Sequence, residues 1–448
     1  MKTNSLFLGM LLMLGFTQGR AQEKKQLTLS EAISLATTQS NQATLADTKI
    51  ATSQYEVQTV KNNRYPSLKL SGQFQRLTGA EINSKLGSST PADGSEPATA
   101  SPKVDQLIIG QASLSLPVFS GFKIKNNIKA SENRHRAAVF NAKSTKEQLA
   151  MNTIVLYVNL YKAQQSVVLI QDNLKASQQR VKDFTAMEEN GLIARNDLLK
   201  SQLQSSNIQL TLEEAKKNVS TINYQLVNLL KLNEGTQIVP EEGVFQNSLA
   251  ERGSFNANDA LASRSDLESL KWMQKASETN IKVAEGNYYP SVNLLGGYAA
   301  LNLKNALEVN NAMNFGVGVS YDLSSIFKNG KDVKLARSIA SETKQSADIL
   351  TDQIKIEVQE AQENYTLSQK QYKVYQEAVT QAGENYRIVK DKYDNGLSDT
   401  NDLLEADIQD LQAKLNEAFS KADIAQSYYQ LLHASGKLTD SFNLTSKN

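Results

Sequence analysis

Two hydrophobic rhythms alternate along this chain, and each is written twice. In the first half Leu156, Leu160, Ala163, Val167, Ile170, Leu174, Ser177, Val181 and Phe184 step by four and three. In the second half Tyr365, Ser368, Tyr372, Tyr375, Val379, Ala382, Tyr386, Val389 and Tyr393 keep the same frame, offset by 205. A period of 3.5 marks a coiled-coil seam, and its Ala and Ser positions let neighbouring backbones approach closely. The tracts that follow carry two seams side by side. Leu198, Ser205, Ile208, Leu212, Ala215, Val219, Ile222, Leu226 and Leu229 form one stripe, with a weaker neighbour at Leu199, Leu203, Ser206, Leu210, Tyr224 and Val227. In the second copy the neighbour is the stronger: Leu404, Ile408, Leu411, Leu415, Ala418, Ala422, Ala425, Tyr429 and Leu432. A seam on each side asks for a partner on each side, as in a closed ring of helices. A wide core-facing stripe of an ordinary bundle is the other solution.

The second rhythm has period two. Leu68, Leu70, Gly72 and Phe74 alternate with Ser67, Lys69, Ser71, Gln73 and Gln75. Ile108, Gly110, Ala112, Leu114 and Leu116 alternate with Gln111, Ser113 and Ser115. In the second half Val292, Leu294, Gly296 and Tyr298 stand against Asn293 and Gly297, and Phe315, Val317, Val319 and Tyr321 against Asn314, Gly316, Gly318 and Ser320. Runs of about ten residues with this period are strands, of a length that suits a tilted strand crossing a bilayer. The polar faces are small and almost uncharged, which favours a membrane strand over a soluble half-buried hairpin. The lipid-facing candidates are Leu68, Leu70, Phe74, Leu114, Val292, Leu294, Tyr298, Phe315, Val317 and Val319. Four strands cannot close a barrel, and open edges cannot sit in lipid. Several chains must therefore pool their strands. Two would supply eight, three would supply twelve. The connection over 77–106 is polar and reads as a surface loop, whereas that near 304–311 is short.

Proline sets the boundaries. None occurs over 118–239 or after 290, so both tracts are open to uninterrupted helix. The pattern predicts helices at 30–64, 118–188 and 197–232, and again at 254–289, 324–393 and 402–437. The first long helix reaches roughly 105 Å at 1.5 Å per residue, and the two short helices end to end match it. Three landmarks repeat in order: Ser30-Glu31-Ala32-Ile33 with Asn258-Asp259-Ala260-Leu261, RYPSLKLSGQF with YYPSVNLLGGY, and NGLIARNDLL with NGLSDTNDLL. The chain is a tandem duplication. Its repeats are 22–236 and 237–448, joined in the polar stretch around 233–253. The fold class is mixed α and β: long antiparallel coiled coils forming an α-barrel, plus four transmembrane strands per chain that contribute to an oligomeric β-barrel.

Composition narrows the setting. Lys2, an apolar run over 6–16 and small residues up to Ala21 predict a secretory signal peptide over 1–21. Its apolar core is too short to span a bilayer. There is no cysteine, hence no disulfide, thiolate metal site, thiol nucleophile or lipidated N-terminal Cys. The 48 Lys and Arg nearly balance the 47 Asp and Glu without a basic stripe, which argues against nucleic acid. His135 and His433, the only histidines, lie in helical tracts and read as ordinary helix residues. No phosphate loop, nucleophile elbow or metal spacing is present. The chain reads as a non-enzyme, with no catalytic residue, metal site or cofactor.

The repeated NGL…NDLL falls where each long helix must reverse. Asn-Gly supplies residues tolerant of positive φ at a helix end. The polar residues after it offer an N-cap, and Asp197 and Asp402 lie near the start of the returning helix, where the dipole favours negative charge.

Over essentially its whole mature length the chain resembles TolC-like outer membrane efflux proteins. The residues that carry the resemblance are Ser30-Glu31-Ala32-Ile33, the Tyr-Pro-Ser before each first strand, Leu116-Pro117-Val118-Phe119-Ser120-Gly121, and the two Gly-Leu…Asp-Leu-Leu reversals. The resemblance implies a homotrimer whose twelve-stranded barrel, in outer membrane lipid, continues into an α-helical cylinder in the periplasm. It implies that Gly191, Leu192, Gly396 and Leu397 lie at periplasmic tips that meet a periplasmic adaptor (membrane fusion) protein, itself joined to an inner-membrane pump. It also places Asp402 and Glu405 among the acidic residues of the tip entrance, with Asp197 the counterpart of Asp402. Lys200 stands where Glu405 has its match, so a symmetric acidic ring is not expected. The expected function is the outer membrane channel of a tripartite efflux or type I secretion system, a passive duct gated at its helical tips. The alternative is a secreted, elongated coiled-coil scaffold or adhesin with a soluble β head.

Overall fold

The structure, a computed structural model, describes residues 24–80, 104–247 and 255–442. The expected signal peptide and most of the 77–106 connection lie outside the described residues. The chain opens with β1 (Lys24–Leu27), α1 (Leu29–Gln39), α2 (Asn41–Asn62) and β2 (Ser67–Ala80). It continues through β3 (Val104–Ser120), α3 (Lys123–Glu189) and α4 (Arg195–Leu230). The joining stretch holds β4 (Gln237–Pro240) and α5 (Gly243–Asn247). The second pass repeats the order: α6 (Ala257–Ser263), α7 (Ser265–Glu285), β5 (Ser291–Leu303), β6 (Leu307–Ser320), α8 (Ser325–Asp394), α9 (Thr400–Ala434) and a last turn, α10 (Leu438–Ser441).

Several boundaries differ from the sequence expectation, each for a local reason. The helix expected over 30–64 is broken at Ser40, which is extended (φ −66°, ψ 153°). Its hydroxyl accepts from the Ala43 N–H at 3.1 Å, restarting the helix with an N-cap. The helix expected over 254–289 breaks at Arg264, 224 residues later, the offset of the Tyr-Pro-Ser pair. There the guanidinium holds the joint, donating to Asp266 and Glu357, both at 2.6 Å, and to the Ala434 carbonyl at 3.2 Å. The first long helix begins at 123 rather than 118, because β3 runs through Pro117 to Ser120. The ladder irregularity between Pro117 and Phe119 accommodates the missing donor. The turn that follows needs glycine. Gly121 has φ +64°, and a Cβ there would lie 2.2 Å from the Gly286 carbonyl oxygen. At the other end of the sheet β5 and β6 extend further than expected, to a turn at 304–306.

The chain folds as two compact units, each drawing on both repeats. One comprises the described residues within 1–49, 140–268 and 349–448. Its main core joins Leu27, Ile33, Leu149, Ile154, Tyr157, Leu226, Leu230, Ile238, Phe245 and Leu432, so the joining stretch and both ends of the described chain share it. β1 and β4 pair in parallel, a contact the periodicity did not announce. Tyr157 clasps them: its hydroxyl donates to the Leu27 carbonyl and accepts from the Glu241 N–H, both at 2.7 Å. Burial pushes this phenol up to about 12. Asn223 also holds β4, donating to the Thr236 carbonyl and accepting from the Ile238 N–H, each at 2.8 Å.

The second unit comprises the described residues within 50–139 and 269–348. It holds one antiparallel sheet in the order β2-β3-β5-β6, with β2 and β6 at the edges. Trp272, the only tryptophan, lies on α7 between the Arg136 guanidinium, 4.5 Å from its ring centroid, and Lys275 Nζ at 3.7 Å. Its indole N–H is buried without a hydrogen-bond partner. Among the described residues, no helix is long and apolar enough to cross a membrane.

Candidate functional site

Both helical reversals end in the same bonded turn. After α3, the Gly191 N–H donates to the Glu188 carbonyl at 2.9 Å and the Leu192 N–H to the Met187 carbonyl at 2.8 Å. After α8, Gly396 donates to Tyr393 at 2.9 Å and Leu397 to Lys392 at 2.8 Å. This is the Schellman pattern. Each glycine has φ +71°, and a Cβ on either would meet nothing within 4 Å, so glycine is required by the backbone and not by crowding. Asn190 and Asn395 each donate back to a carbonyl four residues earlier, at 2.7 Å. The leucine that follows each glycine points outward, with Leu192 72% and Leu397 76% exposed.

The two reversals differ at the restart. Asp399 caps α9, accepting from the N–H groups of Asn401 and Asp402 at 2.8 and 3.0 Å. Ala194 occupies the same place before α4 and has no side chain to cap with, so the expected polar N-cap holds in the second copy only. Asp197 lies 3.5 Å from Lys200, and Asp402 accepts from the Ser398 hydroxyl at 2.8 Å. Glu405 accepts from Gln409 at 3.1 Å. Each acid thus has a partner of its own. Among the described residues, no group of three or more His, Asp or Glu side chains is arranged to hold a metal ion. Between the reversals Phe184, Leu198 and Leu403 form a small core, with Phe184 stacked on Tyr393 at 5.5 Å.

A buried polar layer lies behind this core, unannounced by the seam pattern. Asp407 accepts from Arg180 at 3.0 Å, Asn173 at 3.2 Å and Gln204 at 3.5 Å, and Arg180 also donates to the Tyr386 hydroxyl at 3.3 Å. Both charged side chains are almost fully enclosed. Burial pulls the Arg180 guanidinium down, and the hydrogen bond and charge of Asp407 more than reverse this, so it is held above its ordinary value. The five residues are scattered over four helices. The sequence signal for it was slight: Asp407 stands beside the Leu404–Ile408–Leu411 stripe rather than opposite it.

That stripe shows how the paired seams are used. On α4 Leu198, Ile208, Leu212, Ala215 and Leu226 are buried, while Leu199, Leu203, Leu210 and Tyr224 of the neighbouring stripe are exposed. On α9, towards its start, the buried positions are Leu403, Ala406, Asp407, Asp410 and Ala413, and Ile408 is exposed. On α8 the exposed Ile349, Ile356, Leu367, Val374 and Ile388 lie on one heptad frame, distinct from the tyrosine seam. Among the described residues α4 and α8 therefore each keep a second apolar stripe uncovered, whereas on α9 only Ile408 of the stripe is exposed and Ala422, Ala425 and Leu432 are buried.

The sheet registers test the alternation directly. Leu68, Leu114, Gly296 and Phe315 stand in one cross-strand row, and Leu70, Ala112, Tyr298 and Met313 in the next. Leu116, Leu294 and Val317 form another, as do Phe119, Val292 and Val319. Opposed residues share a face, so the ten lipid-facing candidates all fall on one side of the sheet. Phe315 is 96% and Leu70 86% exposed. On the other side Leu295, 47% exposed, interrupts the small polar pattern.

The sequence matches the family model for outer membrane efflux proteins over residues 32–230 and 256–437. It is 22% identical over 347 residues to outer membrane efflux protein BepC of Brucella suis biovar 1 (strain 1330), covering 75% of this chain and 74% of that one. The structure is similar to the Campylobacter jejuni CmeC outer membrane channel, with a TM-score of 0.77 at 17% identity, over 92% of this chain and 86% of that chain. It is also similar to the outer membrane protein VceC of Vibrio cholerae, with a TM-score of 0.75 at 16% identity, over 91% and 96%. At these identities the structural likeness speaks for the fold.

Proposed function

The chain belongs to the outer membrane efflux protein family, and from that premise we propose how its parts do the work of an outer membrane efflux channel. Three copies close a twelve-stranded barrel in outer membrane lipid, and their helices form a tube in the periplasm. The duct is passive: an inner-membrane pump supplies the energy, and a periplasmic adaptor joins the two by grasping Gly191-Leu192 and Gly396-Leu397. The repeats 22–236 and 237–448 supply matching walls, and 1–21 is the export signal.

One observation carries the reading. Towards the helices one face of the sheet is apolar row after row, ending at Asn302 and Glu308 in the Phe74 row, and among the described residues the two edge strands have no outer partner. From the row of Val292 to the row of Gly110 and Ala300 is about nine residues of β3, roughly 31 Å along the strand. Tilted by about 40°, it gives a band near 25 Å tall, the height of the apolar girdle of outer membrane barrels. Open edges in lipid leave backbone groups unpaired at several kcal/mol each, so further copies must complete the wall. The uncovered stripes on α4 and α8 ask for the same neighbours. The two exposed leucines at the reversals support the docking role, because the Schellman turn itself requires only the glycines. Asp197, Asp402 and Glu405 then border the entrance, held open or shut by the packing of α8 against its neighbours.

The test is purification from membranes in detergent, followed by cross-linking and planar-bilayer recording. A trimer that conducts ions supports the proposal. A water-soluble monomer that forms no pore would refute it. Cross-linkers placed at positions 192 and 397 should capture an adaptor from the periplasm.

A further inference from the structure

The sheet face turned away from the proposed lipid side is not uniform. Near the helices it is mostly small or polar. Lys69, Ser113, Gly297 and Asn314 form one cross-strand row, and Ser71, Gln111, Ala299 and Ala312 the next. Towards the β5–β6 turn the character reverses. The following row reads Gln73, Ile109, Leu301 and Val309, and the one beyond it Gln75, Leu107, Leu303 and Leu307. In each, three residues of four are large and aliphatic. The register shift on β6 between Val309 and Ala312 is what brings Val309 and Leu307 into these rows. The rows are consecutive on this face, so the belt is about 7 Å deep along the strands. The same stretch makes β3 apolar on both faces at once, at Leu107-Ile108-Ile109.

A lumen that carried only small hydrophilic solutes would gain nothing from such a belt, since aliphatic surface facing water is unfavourable in proportion to its area. We propose that Leu107, Ile109, Leu301, Leu303, Leu307 and Val309 form an apolar collar at the outer end of the lumen, which contacts the hydrocarbon body of amphiphilic cargo on its way out. The inference rests on the barrel reading above, with Leu70 and Phe315 facing lipid. The cargo it fits is a small organic molecule with an apolar body and a polar or charged end. No charged residue lies in either row, so the collar selects for apolar surface and not for a sign of charge. Gln73 and Gln75, the remaining members of the rows, offer amides to the polar end. A wall touches cargo on one side only, which keeps retention weak, as passage demands.

The experiment uses the full-length protein in planar bilayers, with symmetrical tetraalkylammonium ions from tetramethyl to tetrapentyl added on the sheet side. Block tightens with alkyl length, by roughly tenfold or more across the series, because each methylene withdrawn from water favours contact. In the Leu301→Ser, Leu303→Ser double variant that gain shrinks to about twofold. Because the chain has no cysteine, single thiols give a second reading that does not depend on the double variant folding. A charged, water-soluble methanethiosulfonate should react with Leu303→Cys in open pores and step the conductance down, and should leave Val317→Cys unmodified. Wild-type block indifferent to alkyl length, or a Leu303→Cys that stays unreactive in conducting pores, overturns the collar. A wild-type protein that never conducts instead removes the barrel reading beneath it.

Discussion

Asp407 accepts hydrogen bonds from three side chains on two other helices, and this sets the consequence of removing it. Asp407→Ala strands the enclosed Arg180 charge, an error of about 3–5 kcal/mol. The expected outcome is a clear fall in the thermal midpoint, whereas the exposed Glu384→Ala shifts it little; equal effects would mean that the layer is solvated. His433 carries a pH prediction. Burial, and then the nearby Arg264 charge, hold its imidazole below the ordinary value, against the opposing pull of Glu357 and Asp266. The folded state therefore takes up its proton later than the unfolded chain does. The neutral ring's contribution is complete above about pH 6.5, the unfolded value, and is lost as pH falls through the folded value. Melting wild type and His433→Gln in parallel from pH 8 to 5 should show the wild type losing ground on the acid side. Glu147, raised by burial against its bonds to Ser265 and Thr439, titrates with the opposite sign, so the comparison between variants is the informative quantity.

The reversals and breaks belong to the scale of elements. Gly191→Ala or Gly396→Ala meets no steric obstacle but forces alanine to positive φ, at about 1–2 kcal/mol. Each should lower the denaturation midpoint while leaving the oligomer intact by size-exclusion chromatography. Loss of assembly instead would show that the turn also makes contacts between copies. Much at this scale was legible in the sequence. The α3 heptad buries Leu160, Ile170, Leu174, Ser177 and Phe184, that of α8 buries Tyr365 and Ser368, and the other named positions are half-buried; Asn-Gly marks both reversals, because short-range periodicity and positive φ leave direct traces in residue type. The breaks at Ser40 and Arg264 left weaker traces. A single serine in a polar run looks like a helix surface residue, and an arginine becomes a joint only when Asp266, Glu357 and the end of α9 converge on it. The same limit hid the Asp407 layer, whose members come from four helices. The β1–β4 pair was too short for any period to show.

At the scale of the molecule, the face assignment makes the sharpest prediction. Leu70→Arg and Val317→Arg each place a charge in the proposed lipid band, costing about 2–4 kcal/mol near the midplane and less towards its rims. Trimers extracted from the outer membrane should decline in both variants. Lys69→Ala, on the other face, should assemble normally, and a reversed ranking would exchange the lumen and lipid sides.

The lone indole of Trp272 gives the chain a built-in spectroscopic reporter. It sits only in the unit that carries the sheet, between two cations, with its N–H enclosed. Selective excitation thus reads one position in that unit, whereas far-ultraviolet dichroism is dominated by the long helices. As denaturant rises, fluorescence should move to the red when the sheet unit opens around the ring. A separation between the optical midpoints would measure how independently that unit lets go, with no added label.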